Sequence, residues 1–174
     1  ACDGAFFRGK AVAVLGGGNS AAAEALMLAR QCSRVYLLHR KNTMRAEQHY
    51  IQALKETSNL TFWGNAKITA ILGTQTVTGV AYQDLITGHA QECSCDGVFI
   101  AIGREPSTDL LAGQVTLDAE GYVQADETTR TNVPGVFAAG DVRAKPLRQI
   151  VTAAADGAVA AHYAEVYLGS KKFA

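Results

Sequence analysis

Apolar positions fall into short unbroken runs near the start of the chain, and each run is followed by a segment of a different period. Lys10 to Leu15 is a compact apolar stretch that stops at three glycines, the mark of a strand buried on both faces. Asn19 to Arg30 is rich in Ala and Leu and reads as a helix. Arg34 to His39 is a second apolar strand, Arg45 to about Lys55 a second helix, and Leu60 to Trp63 a third strand. This β-α-β-α-β order predicts right-handed crossovers and a parallel sheet.

From Ala66 the pattern changes to Thr- and Val-rich alternation with a turn at Thr87-Gly88-His89, which predicts an antiparallel meander laid over the parallel sheet. Val98 to Ile102 is again wholly apolar and is placed back in the parallel sheet, closed by Gly103. Beyond Arg104 the texture shifts once more. Asp118 to Gly121 reads as a turn between two short strands, and Val136 to Ala139 as a strand ending at Gly140-Asp141. A last helix runs from about Gln149 to Leu168, with small residues (Ala153, Ala154, Gly157, Ala160, Ala161) on one face. The change of pattern predicts two domains, residues 5–104 and 105–174, the second incomplete. The fold class is α/β: a Rossmann-like parallel sheet with an antiparallel β meander, followed by part of a second domain.

Composition narrows the classes without choosing among them. Of 174 residues, 48% are hydrophobic and 18% charged, which fits a soluble globular protein and argues against disorder. Lys+Arg and Asp+Glu balance at 16 each, so no net field draws nucleic acid or an anionic membrane. No apolar run approaches the roughly 18 residues of a membrane span, and no signal peptide is recognised. Four cysteines (Cys2, Cys32, Cys93, Cys95) suggest no disulfide framework, three of them in helix- or strand-like stretches, and a reducing, cytoplasmic setting is expected.

The chemistry concentrates in four places. Gly16-Gly17-Gly18-Asn19-Ser20-Ala21 stands between a strand and a helix, as a dinucleotide fingerprint must. Gly16 permits the tight turn, Gly18 lets the backbone approach a diphosphate, and Ala21 lets the helix pack closely on the strand; the free N–H groups of the helix N-terminus then face the phosphates. An NAD site places an acid about 20 residues later, at the end of the second strand. This chain has His39, Arg40 and Lys41 there, with Arg45 one turn on, a cationic set suited to a 2′-phosphate. NADPH is therefore favoured over NADH. Cys2-Asp3-Gly4, alone, reads more readily as structural than as redox-active. Asp141, at a strand end, can accept hydrogen bonds from ligand hydroxyls, and the helix start at Gln149 can offer N–H groups to an electron-rich ring edge; alone, this stretch reads more readily as a strand-end turn with a helix cap.

Taken together, Cys-Asp-Gly, Gly-Gly-Gly-Asn-Ser-Ala, His-Arg-Lys with Arg45, Ala-Ile-Gly, Pro-Gly-Val-Phe-Ala-Ala-Gly-Asp-Val and Arg-Gln-Ile resemble the low-molecular-weight thioredoxin reductases in order and spacing, across nearly the whole chain. The resemblance implies an NADPH domain and the C-terminal part of an FAD-binding domain. Hydride would pass from NADPH to FAD, then to a Cys-x-x-Cys disulfide, and the dithiol would reduce thioredoxin or a similar protein. It implies that Cys2 is the flavin-facing cysteine of the pair and Asp3 its acid/base. Gly17, Gly18, Asn19 and Ser20 would hold the diphosphate, and His39, Arg40, Lys41 and Arg45 the 2′-phosphate. Ile102, Gly103 and Arg104 would border the NADPH site and an interdomain hinge. Gly140 and Asp141 would lie on the flavin's ribityl chain, and Arg148, Gln149 and Ile150 along its pyrimidine edge.

Departures from the family pattern accompany the matches. The first redox cysteine and the N-terminal FAD half are absent, and Ala23 stands where relatives often carry an acid. The expectation is a fragment that binds NADPH, holds FAD poorly and does not reduce thioredoxin unaided, with the missing FAD-domain half as a partner and a homodimer as its assembly. A peroxiredoxin-system flavoprotein, a ferredoxin–NADP reductase and a non-catalytic NADPH-binding module remain alternatives.

Overall fold

The computed structural model describes the backbone of residues 2–171 and the side chains of residues 3–170. The chain divides into two compact units, the first ending at Gly103 and the second beginning at Arg104.

The first unit opens with a 3₁₀ turn, Cys2–Phe7, followed by β1 (Ala11–Leu15), α1 (Asn19–Ala29), β2 (Arg34–Leu38), α2 (Gln48–Glu56) and β3 (Leu60–Trp63). Then come β4 (Ala66–Leu72), β5 (Gly79–Asp84), β6 (Ala90–Ser94) and β7 (Gly97–Ile100). Strands β3, β2, β1 and β7 form one parallel sheet in that order, and β4, β5 and β6 a separate antiparallel sheet. The apolar run after the meander thus does return to the parallel sheet, beside β1.

Strand β1 shows why an unbroken apolar run was needed. Val12 and Val14 pack on the helix side with Ala21, Ala22, Ala25 and Leu28 of α1. Ala13 and Leu15 face the other way and join Leu38, Val80 and Cys95 in the layer shared with the meander. Successive side chains of a strand alternate faces, so a strand covered on both sides has no position left for a polar residue. The 3₁₀ turn seats against the end of α1: a Cβ on Gly4 would lie 2.6 Å from Gln31 Nε2 and 2.9 Å from Leu28 Cδ2. A larger residue there would have to displace the ends of the Gln31 and Leu28 side chains.

Helix α2 starts at Gln48, three residues later than the apolar pattern predicted. Residues 45 to 47 are held by tertiary bonds instead, the Arg45 N–H to Gly17 O at 2.7 Å and the Glu47 N–H to Asn19 Oδ1 at 2.8 Å.

The second unit has a smaller core of Val115, Val123 and Ala138. The turn at Asp118 forms, with its carboxylate accepting the Glu120 and Tyr122 N–H groups. The strands expected on either side are reduced to a single Leu117–Val123 bridge, and the one expected at Val136–Ala139 to an Arg130–Phe137 bridge. A 3₁₀ turn at Gly140–Val142 and the long α3 (Ile150–Lys171) complete the unit. No helix among the described residues is long and apolar enough to cross a membrane.

Candidate dinucleotide site

The loop from β1 to α1 is built around three glycines that are glycine for three different reasons. Gly16 has φ +152°, and a Cβ there would meet the Ala101 carbonyl and approach the Ala21 Cβ to 2.8 Å. It is thus wedged between the end of β7's chain and the first turn of α1, and Ala21 is fully buried beneath it. Gly17 carries no positive φ among the described residues, yet a Cβ on it would run into the imidazole ring of His39. Gly18, the N-cap of α1, has extended backbone and faces open space. The open side of Gly18 and the first N–H groups of α1, which have no intrahelical partners, form a surface that a diphosphate can approach without meeting a side chain.

The cationic segment is fastened to this loop. Arg40, Lys41 and Arg45 are all exposed, and the Arg45 N–H to Gly17 O bond fixes their segment against the glycines. His39 does not join them as an exposed cation. It is 8% exposed, its ring packs against Gly17, and its Nε2 is buried with no hydrogen-bond partner. Burial, and then the charges of Arg45, Arg40 and Lys41, hold its imidazole below the ordinary histidine value. The histidine expected on the 2′-phosphate therefore lies under the loop, because its position continues the inward-facing register of Val35 and Leu37.

Asn19 has a structural partner within the protein. Its Nδ2 donates to Glu47 Oε1 at 2.7 Å and its Oδ1 accepts the Glu47 N–H, a two-way bond joining the starts of α1 and α2. Glu47 was missed in the sequence; the signal was an acid directly preceding a helix start. Ser20 is exposed at the first turn of α1. Ile102 and Gly103 are exposed at the end of the first unit. Asp3 is exposed on the opening turn, and the Cys2 side chain lies outside the described residues. Cys32, Cys93 and Cys95 are free and buried, Cys32 and Cys95 just outside the helix and strand expected to hold them.

In the second unit, the predicted flavin-side residues lie along one stretch. Gly140 has φ +82° at the 3₁₀ turn, and Asp141 is exposed. Arg148 stacks its guanidinium 3.7 Å from the centre of the Tyr122 ring and donates through Nε to the Asp141 carbonyl at 3.2 Å. Arg104, Glu105, Tyr122, Asp141 and Arg148 border a concavity of about 290 Å³. Gln149 is exposed and Ile150 is 91% exposed at the start of α3. The concavity thus brings an exposed carboxylate and a fixed guanidinium together beside an aromatic ring, a lining able to accept and donate hydrogen bonds around a planar group.

The turn is held by a residue the sequence did not single out. Asp156 of α3 accepts the Gly140 N–H at 3.1 Å and forms ion pairs of 2.8 Å with both Arg143 and Lys145. Burial raises the Asp156 carboxyl's affinity for a proton, but Lys145, the Gly140 N–H and Arg143 together outweigh it and hold the group below the ordinary carboxylate value. Its signal was the one acid within an otherwise small-residue helix face.

Comparison with known proteins places this geometry. The profile of the pyridine nucleotide-disulphide oxidoreductase family matches residues 3–157. The thioredoxin reductase of Treponema pallidum is 43% identical over 167 residues, covering 96% of this chain and 54% of that protein. That of Chlamydia pneumoniae is 44% identical, covering 97% and 55%. Among solved structures, the thioredoxin reductase of Streptococcus pyogenes superposes with a TM-score of 0.86 at 37% identity, over 97% of this chain and 55% of that one. This chain spans about half the length of the curated relatives it matches. With that profile matched over most of its length, the chain belongs to the pyridine nucleotide-disulphide oxidoreductase family.

Proposed function

We propose that this chain is the NADPH-binding part, with the adjoining C-terminal portion of the flavin-binding part, of an NADPH-dependent disulfide reductase of the thioredoxin reductase type. The observation that carries the reading is the Arg45 N–H to Gly17 O bond, which holds an exposed cationic segment at a fixed place beside a phosphate-binding loop. The relatives of known name, thioredoxin reductases 43–44% identical to it, support the same reading.

In this reading Gly18 and the start of α1 receive the diphosphate, and Arg40, Lys41 and Arg45 receive the 2′-phosphate. Asp141, Arg148, Gln149 and Ile150 border the flavin. When bound, FAD accepts a hydride from NADPH and hands the electron pair to a disulfide. Cys2 is the chain's candidate for one half of that disulfide, and Asp3 beside it would exchange the thiol proton with solvent. Thioredoxin or a similar dithiol protein is the acceptor, a homodimer the assembly, and a reducing cytoplasm the setting.

Selectivity for the 2′-phosphate is the testable core. A hydrogen bond to a charged group is worth about 1.5–3 kcal/mol when desolvated, and exposed cations deliver less. Three cations on one dianion should still exceed about 1.4 kcal/mol together, which is tenfold. Calorimetric titration is therefore expected to show NADPH binding at least about tenfold tighter than NADH. The double variant Arg40→Glu/Lys41→Glu should lose that preference while keeping its weak affinity for NADH. Equal affinity of the unaltered chain for the two nucleotides would overturn the reading.

A further inference from the structure

His39 is the buried group that the cofactor-binding reading leaves unused. Its ring fills the space behind Gly17, its backbone N–H donates to Trp63 O at 2.9 Å, and its backbone carbonyl accepts the Ala66 N–H at 2.9 Å. The backbone at His39 is thus clamped by β3 and β4, the ring lies against Gly17, and its Nε2 finds no partner in the protein. A buried polar nitrogen without a protein partner costs free energy unless a water, a ligand or a proton completes it.

The charged groups around it are arranged one-sidedly. Arg40, Lys41 and Arg45 come from its own segment. The Gly16–Gly18 loop packed against its ring carries no charge, nor do Trp63 and Ala66, to which it bonds. Glu47, the acid at the start of the neighbouring α2, is engaged by Asn19 and lies 3.5 Å from His49.

We propose that His39 is a proton-linked positioning residue: it supports the Gly17 loop as a neutral imidazole while the cationic segment is vacant, and takes up a proton when a 2′-phosphate settles on that segment. The proposal rests on the NADPH reading above. Its physics is charge compensation. Three cations oppose a fourth on the imidazole, and a phosphate with nearly two negative charges cancels much of that opposition. The nucleotide-bound chain then holds more protons than the free chain between the two midpoints of His39. Affinity for a 2′-phosphorylated nucleotide accordingly rises as pH falls through that window. The phosphate's own ionisation acts in the opposite direction, since cations favour its dianion and binding expels a proton, so the two effects must be read separately.

The experiment reads His39 directly. The other three histidines, His49, His89 and His162, are exposed, so a triple Gln variant leaves one imidazole signal without disturbing the core. Proton NMR would follow that signal across pH in the free chain, with 2′,5′-ADP, and with 5′-AMP. The expected result is an upward midpoint shift of roughly half a unit or more with 2′,5′-ADP and a much smaller one with 5′-AMP, which carries no 2′-phosphate. A midpoint unmoved by 2′,5′-ADP, or moved equally by both, would overturn the proposal while leaving the NADPH reading intact. Failure of 2′,5′-ADP to bind would remove that reading and this inference together. As a second readout, calorimetry of the unaltered chain with NADPH, in two phosphate-free buffers of different ionisation enthalpy at about pH 6, should show more protons taken up than in His39→Gln. Equal proton counts would also overturn it.

Discussion

Position 17 is glycine because of a neighbour's ring and not because of its own backbone. Since no positive φ is required there, a side chain is excluded only by the imidazole of His39. Gly17→Ala should therefore destabilise the first unit by about 1–3 kcal/mol through overpacking and weaken NADPH binding about tenfold or more. In a His39→Ala background the same substitution should cost much less, and a double-mutant cycle by urea unfolding and NADPH titration measures the difference. Equal costs in the two backgrounds would show that the ring is not the obstacle. The sequence made the glycine loop and the cationic cluster legible, because both are local and both need particular residue types. It did not reveal that His39 belongs to the core. A histidine beside two cations looks like a third one, and only the inward register through Val35 and Leu37 assigns it to the buried face.

At the scale of elements, tertiary bonds override local preference at two helices. Helix α2 begins late because Asn19 and Gly17 hold residues 45 to 47 out of it, which no count of apolar spacing could reveal. Asn19→Ala should release Glu47 and loosen the cationic segment, weakening NADPH binding by about 0.5–1.5 kcal/mol in a titration while leaving the fold's circular dichroism unchanged. Helix α3 was expected to use its small residues for close approach, but the residue on it that organises its surroundings is Asp156. Its side chain is 12% exposed and its partners Arg143 and Lys145 are 11% and 9% exposed, so removing the carboxylate strands two nearly buried cations. Asp156→Ala should cost about 3 kcal/mol of the second unit's stability, read as earlier urea unfolding and faster amide exchange at Gly140. Because the folded carboxyl ionises more readily than the unfolded one, its contribution is full above about pH 5 and fades as pH falls below about 4. Asp156→Asn should abolish that part of the acid dependence. The strand expected at Val136 failed for a related reason: its apolar run carries the propensity, but its backbone bonds are one turn bond to Val133 and single bonds to Thr129 and Thr131, too few for a ladder.

For the whole molecule, the first unit was readable almost element by element, since strands buried on two faces, glycine turns and alternating meander strands each leave a local signature. The second unit was less so. Its core is small, its ordering relies on single bridges and one carboxylate, and its apolar side chains at Leu147, Ile150 and Val151 stand largely exposed. With so small a core and these side chains exposed, the second unit is expected to retain little flavin by itself, while the first binds NADPH. Absorbance of the purified chain measures this directly: a stoichiometric flavin band would contradict the expectation, and its absence alongside NADPH binding would support it.

The meeting of Gly17 and His39 also leaves a trace that can be sought in descent. A side chain at 17 and a ring at 39 compete for one volume, so lineages that shrink the ring become free to enlarge the loop, and lineages that keep it cannot. Across the family the two positions should drift as a pair, with the loop's glycine relaxed only where the imidazole has been lost.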